Sequence, residues 1–250
     1  MQRHRGRKEV LHKTIENFKF DIPSSDPGYL GAVETHFKER IDNLKYLSGL
    51  LKDNPTLEIE IFILSSCFID AFAGFFYSPA EIGTRFRKVL YDFGHFSGVD
   101  FEKVSLVKLE KLLWTEAKYI LLSNPYLRYM EQKIKKIDFA HAEKSISHDP
   151  IKSDLLTELL GVDAHHIDLV KEIIEQATYA SVLYEKYRNP SIHEAVISEH
   201  WNPDNHKVVH YLSIDSSPSL IFPSQFLVEL ANHVYTEIME RVRRHFYAQQ

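Results

Sequence analysis

The sequence predicts a mainly α-helical protein: a helical bundle with one small β-hairpin near its C-terminus. Three observations carry this. The 250 residues include 9 Gly and 10 Pro, too few breakers for an all-β sandwich, a collagen or a flexible low-complexity chain. Apolar residues recur at three-to-four-residue steps through most of the length, the period of an amphipathic helix. Only Lys207 to Phe222 switches to strand-like alternation around a turn.

The elements follow in chain order. Residues 1–29 form a basic arm, with Arg3, Arg5, Arg7 and Lys8 leading into the breaker cluster Pro23-Ser24-Ser25-Asp26-Pro27-Gly28. Residues 30–250 are then one domain, because no Pro/Gly/Ser-rich linker or repeated block divides them. Val33, Phe37, Ile41, Leu44, Leu47 and Leu51 mark a helix over Ala32 to Lys52. The next, from Thr56 to Phe76, is apolar nearly all round, and Phe68, Phe72, Phe75 and Phe76 read as core packing. Pro79 suits a first helical position, and Ile82, Phe86, Val89, Leu90 and Phe93 carry that helix to Gly94. Two or three helices fill Glu102 to Lys136, with a break at Asn124-Pro125.

His148-Asp149-Pro150 opens a segment holding Leu155, Leu156, Leu159 and Leu160, closed by Gly161. A long helix is expected from His165 to Tyr187, with Ile167, Val170, Ile174, Ala177, Tyr184 and Tyr187 near one face. Val208 to Ile214 and Leu220 to Phe222 flank Asp215-Ser216-Ser217-Pro218 as a hairpin. Phe226, Leu227, Leu230, Val234, Ile238, Val242 and Phe246 mark a C-terminal helix, with Arg241, Arg243, Arg244 and His245 where cations suit the dipole.

Composition removes several functional classes. Cys67 is the one cysteine, so an internal disulfide, a cysteine-ligated zinc site and an iron–sulfur cluster are excluded, and a cytoplasmic location is expected. The N-terminal segment has basic residues but no apolar stretch of about 7 to 15 residues, so it does not read as a signal peptide. The apolar run Ile59 to Tyr77 contains Glu60 and Asp70. An acidic group at a membrane centre costs about 2.5 to 3.5 kcal/mol, so this run reads as a buried helix and not a membrane span. Thirty Lys+Arg against 35 Asp+Glu give a formal charge of -5, which does not mark the whole surface for nucleic acid.

The most informative stretch runs from Tyr184 to Glu194, Y-E-K-Y-R-N-P-S-I-H-E. Pro190 ends the preceding helix and biases Asn189 away from helical geometry. A second helix can start at once, capped by Asn189, or by Ser191 with Glu194 completing a capping box. Either register puts His193 in the first turn. Unpaired amides there favour an anion, and Arg188 stands just outside as a permanent cation. Arg clamps phosphate oxygens, while His exchanges protons near neutral pH. Together they suit attack of a ribose 2′-hydroxyl on its adjacent phosphate, which requires RNA and no metal.

Arg188-Asn189-x-x-x-His193, joining one helix to the next, resembles the R-x4-H signature of the HEPN superfamily. The helix Ser65 to Gly74, followed by Arg85-Phe86, is similar to the first core helix of some HEPN-like families. The resemblance runs in outline from Leu57 to the C-terminus, and its specific residues lie in Tyr184 to Glu194. It implies an all-helical fold, a metal-independent ribonuclease without cofactor, and a homodimer whose two motifs face one cleft. Arg188 and His193 would be catalytic and Asn189 would position the substrate. The implied setting is a toxin, antiphage or stress-response system, with an antitoxin or regulatory partner. Ala195 replaces the Tyr found two residues after the His in the subgroup that pairs with a nucleotidyltransferase antitoxin, which argues against that pairing. Some HEPN domains only bind, so the alternative is a non-catalytic module for RNA, a nucleotide or a protein.

Around this motif, Asp70 sits in an otherwise apolar helix and needs a cation or several donors, with Arg188 a candidate. Glu194 supports the cap, and His200, about two turns past His193, can line the same groove. His206 and His210 are spaced for metal only on a helix; on the expected strand they stand about 13 Å apart, so no metal site is assigned. His165-His166 reads as a helix-entry pair. The basic arm and the Arg241 to His245 cluster suit phosphate contacts as well as they suit solvation and dipole compensation.

Overall fold

A computed structural model describes residues 27–77, 80–136, 146–158, 164–188, 208–214 and 217–247. Ten α-helices and one two-stranded hairpin are present among them. The helices are α1 (Pro27–Gly49), α2 (Glu58–Phe76), α3 (Ile82–Phe93), α4 (Leu106–Glu116), α5 (Lys118–Ser123), α6 (Pro125–Ile134), α7 (Lys152–Glu158), α8 (Ala164–Ala177), α9 (Tyr179–Leu183) and α10 (Ser224–Tyr247). A π-helical turn, Tyr184–Arg188, continues α9, and β1 (His210–Ile214) pairs antiparallel with β2 (Ser217–Ile221). The predicted helical majority and the C-terminal hairpin are both present. No helix among the described residues is long and apolar enough to cross a membrane.

The main core is built around α2, which packs against α1, α3 and α10. Ile61, Ile69, Phe72 and Ala73 are almost fully buried, and each large one contributes about 1.5 to 3 kcal/mol by leaving water. From α10, Leu227, Leu230, Val234, Ile238 and Val242 form the buried stripe its periodicity predicts. A second core lies beneath α4 to α8, where Leu109, Leu113, Ile120, Leu127, Val170 and Ile174 meet.

Several local signals act as the chemistry dictates. Ser105 caps α4 by accepting from the Lys108 amide at 3.3 Å. Asn124 Oδ1 accepts from the Leu127 amide at 3.1 Å with Pro125 in the first position of α6, which fixes the break between α5 and α6.

Several boundaries differ from expectation, among them β2, which begins at Ser217 and pairs Pro218 with Ser213 where the sequence reads as turn, and α1, which ends at Gly49 and not at Lys52. Helix α1 begins at Pro27, inside the segment read as arm, because proline is tolerated in a first helical turn. Helix α2 begins at Glu58, after a 3₁₀ turn over Pro55–Leu57. Helix α3 begins at Ile82 and not at Pro79, which lies outside the described residues. The long helix His165 to Tyr187 is broken at Thr178, whose backbone is extended (φ −62°, ψ 153°) and whose hydroxyl caps α9 through the Ser181 amide. The break has a tertiary cause: the Tyr179 amide donates to Lys103 O at 2.8 Å and the Ser105 amide to Ala177 O at 2.9 Å. That pairing with 101–105 overrides the helical period. Leu159, Leu160, Gly161 and the hairpin tip Asp215-Ser216 lie outside the described residues.

Candidate functional site

Cys67, Asp70 and Gly74 are spaced three and four residues apart and therefore share one face of α2. Two guanidinium groups meet that face. Arg188 Nη2, from the π-helical turn, donates to Asp70 Oδ2 at 2.7 Å. Arg85 Nε, from α3, donates to Asp70 Oδ1 at 3.3 Å. Each carboxylate oxygen thus accepts from a different arginine, and the three groups together keep one net positive charge.

Glycines make the approach possible. A Cβ on Gly74 would stand 3.3 Å from Arg85 Cζ, so the absent side chain lets this guanidinium lie against α2. A Cβ on Gly83 would stand 3.0 Å from the Tyr184 ring, so α3 closes on that ring. Tyr184 then carries Arg188 at 5.4 Å and Arg87 at 5.9 Å from its centroid. The π-turn is held from its other side by Tyr187, which stacks on Phe62 and donates to Leu220 O at 3.1 Å. Phe222 N donates to Tyr187 Oη at 3.2 Å, so the hairpin fixes the turn that presents Arg188.

Burial is uneven across the cluster. Arg188 is 6% exposed, whereas the Arg85 side chain is 24% exposed. Burial also pushes the Cys67 thiol up, with Arg188 opposing and Asp70 reinforcing, a direction that disfavours the thiolate.

Of the residues singled out from sequence, the structure brings Asp70 and Arg188 together. Asn189, His193, Glu194 and His200 lie outside the described residues. His210 is buried, with Nδ1 2.9 Å from Val208 O, and His206 is outside the described residues. His166 packs edge-on against the Tyr119 ring. The C-terminal cations have protein partners: Arg243 pairs with Glu34, Arg244 pairs with Glu240, and Arg241 lies over Phe93. The basic head is outside the described residues.

Two features were missed from sequence. The pairing of Arg85 with Asp70 is one: Arg85 belongs to the resemblance and not to the site residues it implies, and the signal for its role is Gly74, a helix-weakening residue inside an apolar helix that marks a close approach. The other is Asp149, a second buried carboxylate. Its Oδ2 accepts from Tyr179 Oη at 2.6 Å and Tyr211 Oη at 2.7 Å, and its Oδ1 accepts from the Leu106 amide at 3.2 Å. Burial pushes its carboxyl up from 3.8 to about 6 against those donors. It ties the start of α4, the start of α9 and β1 to one point, a structural role. Comparison with family models, with curated proteins and with solved structures gives no match for this chain.

Proposed function

We propose that this protein is a metal-independent, HEPN-like endoribonuclease acting as a homodimer, with Arg188 and His193 as its catalytic residues. The observation supporting this most directly is the Asp70–Arg85–Arg188 cluster. One carboxylate faces two guanidinium groups, so a positive charge is left over where the chain enters Asn189 to His193. A phosphate needs that charge.

In this reading His193 of one protomer takes the proton from a ribose 2′-hydroxyl as its oxygen attacks the adjacent phosphorus. Arg188, held in place by Asp70, faces the charge that builds on the non-bridging oxygens, and Arg85 adds a second, more exposed donor. The bond from phosphorus to the 5′-oxygen breaks, and the other protomer's His193 returns a proton to that oxygen. The products are a 2′,3′-cyclic phosphate and a free 5′-hydroxyl. Such an enzyme fits a toxin, antiphage or stress-response setting with an antitoxin or regulatory partner.

One observation favours a second reading. Arg188 is 6% exposed and already bound to Asp70, as expected of a helical module that binds RNA, a nucleotide or a protein without cleaving. Incubating the purified protein with varied RNAs in EDTA decides between them. Cleavage with cyclic-phosphate 3′ ends, lost in His193→Ala and in Arg188→Ala, is the expected result. No cleavage by folded wild type across diverse RNAs would discard the enzyme in favour of the module.

A further inference from the structure

Tyr187 immediately precedes Arg188 and is 1% exposed, so a shift of its ring moves the cation beside it. Phe62 stacks on that ring with centroids 5.6 Å apart and planes 19° apart, and Phe222 meets it edge-on at 5.6 Å and 86°. Apolar packing of this kind is non-directional. It fills the space around the ring without fixing where the ring stops.

Direction comes from the hydroxyl. Tyr187 Oη donates to Leu220 O at 3.1 Å and accepts from Phe222 N at 3.2 Å. Residues two apart on an extended chain turn their backbone groups to the same edge, so this one oxygen takes the two positions that a residue of a neighbouring strand would take. The hydroxyl donates and accepts at once, and the π-turn is thereby set in register with the end of β2. The hairpin is a firm base for this, because its other strand is tied down through Tyr211 Oη, which donates to Asp149 Oδ2 at 2.7 Å. A π-turn is rare and recurs at functional sites. Here its last residue is the arginine that donates to Asp70 at 2.7 Å.

We infer that Tyr187 is a positioning residue: its hydroxyl, braced on β2, sets where the Arg188 guanidinium stands against Asp70 and so where a phosphate meets it. Removing that one oxygen leaves the ring, both aromatic neighbours and every charge in place, and frees the turn to shift. Misplacing a reacting group by about 1 Å lowers a rate by about 10²-fold, a far larger effect than the same shift has on packing. The role in cleavage rests on the ribonuclease reading, whereas the placement of the guanidinium does not.

The full chain and its Tyr187→Phe variant are treated with phenylglyoxal under native conditions, modification of Arg188 is followed by peptide mass spectrometry, and RNA cleavage in EDTA is measured on the same preparations. Val170→Ala, in the second core, controls for general loosening. Loss of the hydroxyl is expected to speed modification of Arg188 by about fivefold, the equivalent of one hydrogen bond, while Val170→Ala leaves it unchanged. In cleavage, kcat is expected to fall at least about tenfold with KM within about twofold of wild type, because Arg188 faces charge that develops in the transition state. An unchanged rate at Arg188, or an equal rise in Val170→Ala, overturns the proposal whether or not RNA is cut. So does a loss of cleavage carried by KM alone. If wild type cuts no RNA while Tyr187→Phe still exposes Arg188, the ribonuclease reading fails and the positioning of Arg188 stands. If Tyr187→Phe does not fold by circular dichroism, Phe62→Leu, which keeps the hydroxyl and removes the stacked ring, takes its place with the same expected direction and the same overturning results.

Discussion

Asp70→Ala is expected to destabilise the protein by about 3 to 5 kcal/mol, and by more than Arg188→Ala does. The asymmetry follows from the sharing of one carboxylate by two cations. Removing Asp70 leaves Arg188, 6% exposed, in a packed interior without the carboxylate it donates to, while Arg85 at 24% can turn partly toward water. Removing Arg188 leaves Asp70 still bound by Arg85 through Oδ1, so about 1 to 3 kcal/mol is expected from the vacated space and the lost donor. Asn at position 70 offers only one acceptor oxygen, so one guanidinium would face an amide NH₂; its cost lies near that of Ala. Combining Asp70→Ala with Arg188→Met should recover much of the loss, because the buried charge goes with its partner. Urea unfolding of the four variants measures this directly. Equal costs for Asp70→Ala and Arg188→Ala would show that the pair is not the buried, charge-compensated contact described above.

The second large effect is expected at Asp149. Replacing it with Ala leaves the Tyr179 hydroxyl buried without its acceptor, while Tyr211 Oη keeps Ser105 Oγ at 2.8 Å and the Leu106 amide keeps Tyr211. One orphaned donor predicts a loss of about 1 to 3 kcal/mol. The pH dependence has an unusual sign. The folded carboxyl titrates at about 6 and the unfolded one at 3.8, so between those values the folded state holds more protons. Stability from this group is therefore greatest below about pH 4 and falls as pH rises to about 6, by about 3 kcal/mol in all. Asp149→Asn cannot ionise. Relative to wild type it should gain about 2 kcal/mol between pH 4 and pH 7 in urea unfolding, whatever its offset at either end. A constant difference across that range would contradict the assignment.

What the sequence reveals of this fold is governed by range. The stripe of α10, the Asn124-Pro125 break and the presence of a hairpin are local patterns that the residues announce, although β2 takes in Ser217 and Pro218, which read as turn. Asp70 was legible as a charge in need of a cation because its helix is otherwise apolar. The break at Thr178 was hidden, since the apolar spacing runs straight through it and only the distant backbone of Lys103 and Ser105 explains it. Asp149 was hidden for a different reason: between His148 and Pro150 it reads as a turn residue, and its two tyrosines lie 30 and 62 residues away. Arg85 shares its turn with Arg87 and Lys88, and nothing local separates the cation that reaches α2 from those that pair with Glu175 and Asp92.

The bond between Arg188 and Asp70 also carries information about time. It joins residues 118 apart, whereas the second core is assembled from the single stretch Val104 to Ala177. Closing the longer loop is the slower event, so the contact belongs late on the folding route, after nearer helices have packed. A bond absent from the transition state leaves the folding rate nearly untouched and acts on escape from the native state. Asp70→Ala should thus leave the folding arm of a chevron plot in place and raise the unfolding arm by most of its stability loss. The cluster that presents Arg188 would in that case be a kinetic latch, lengthening the lifetime of the native state without guiding the chain toward it.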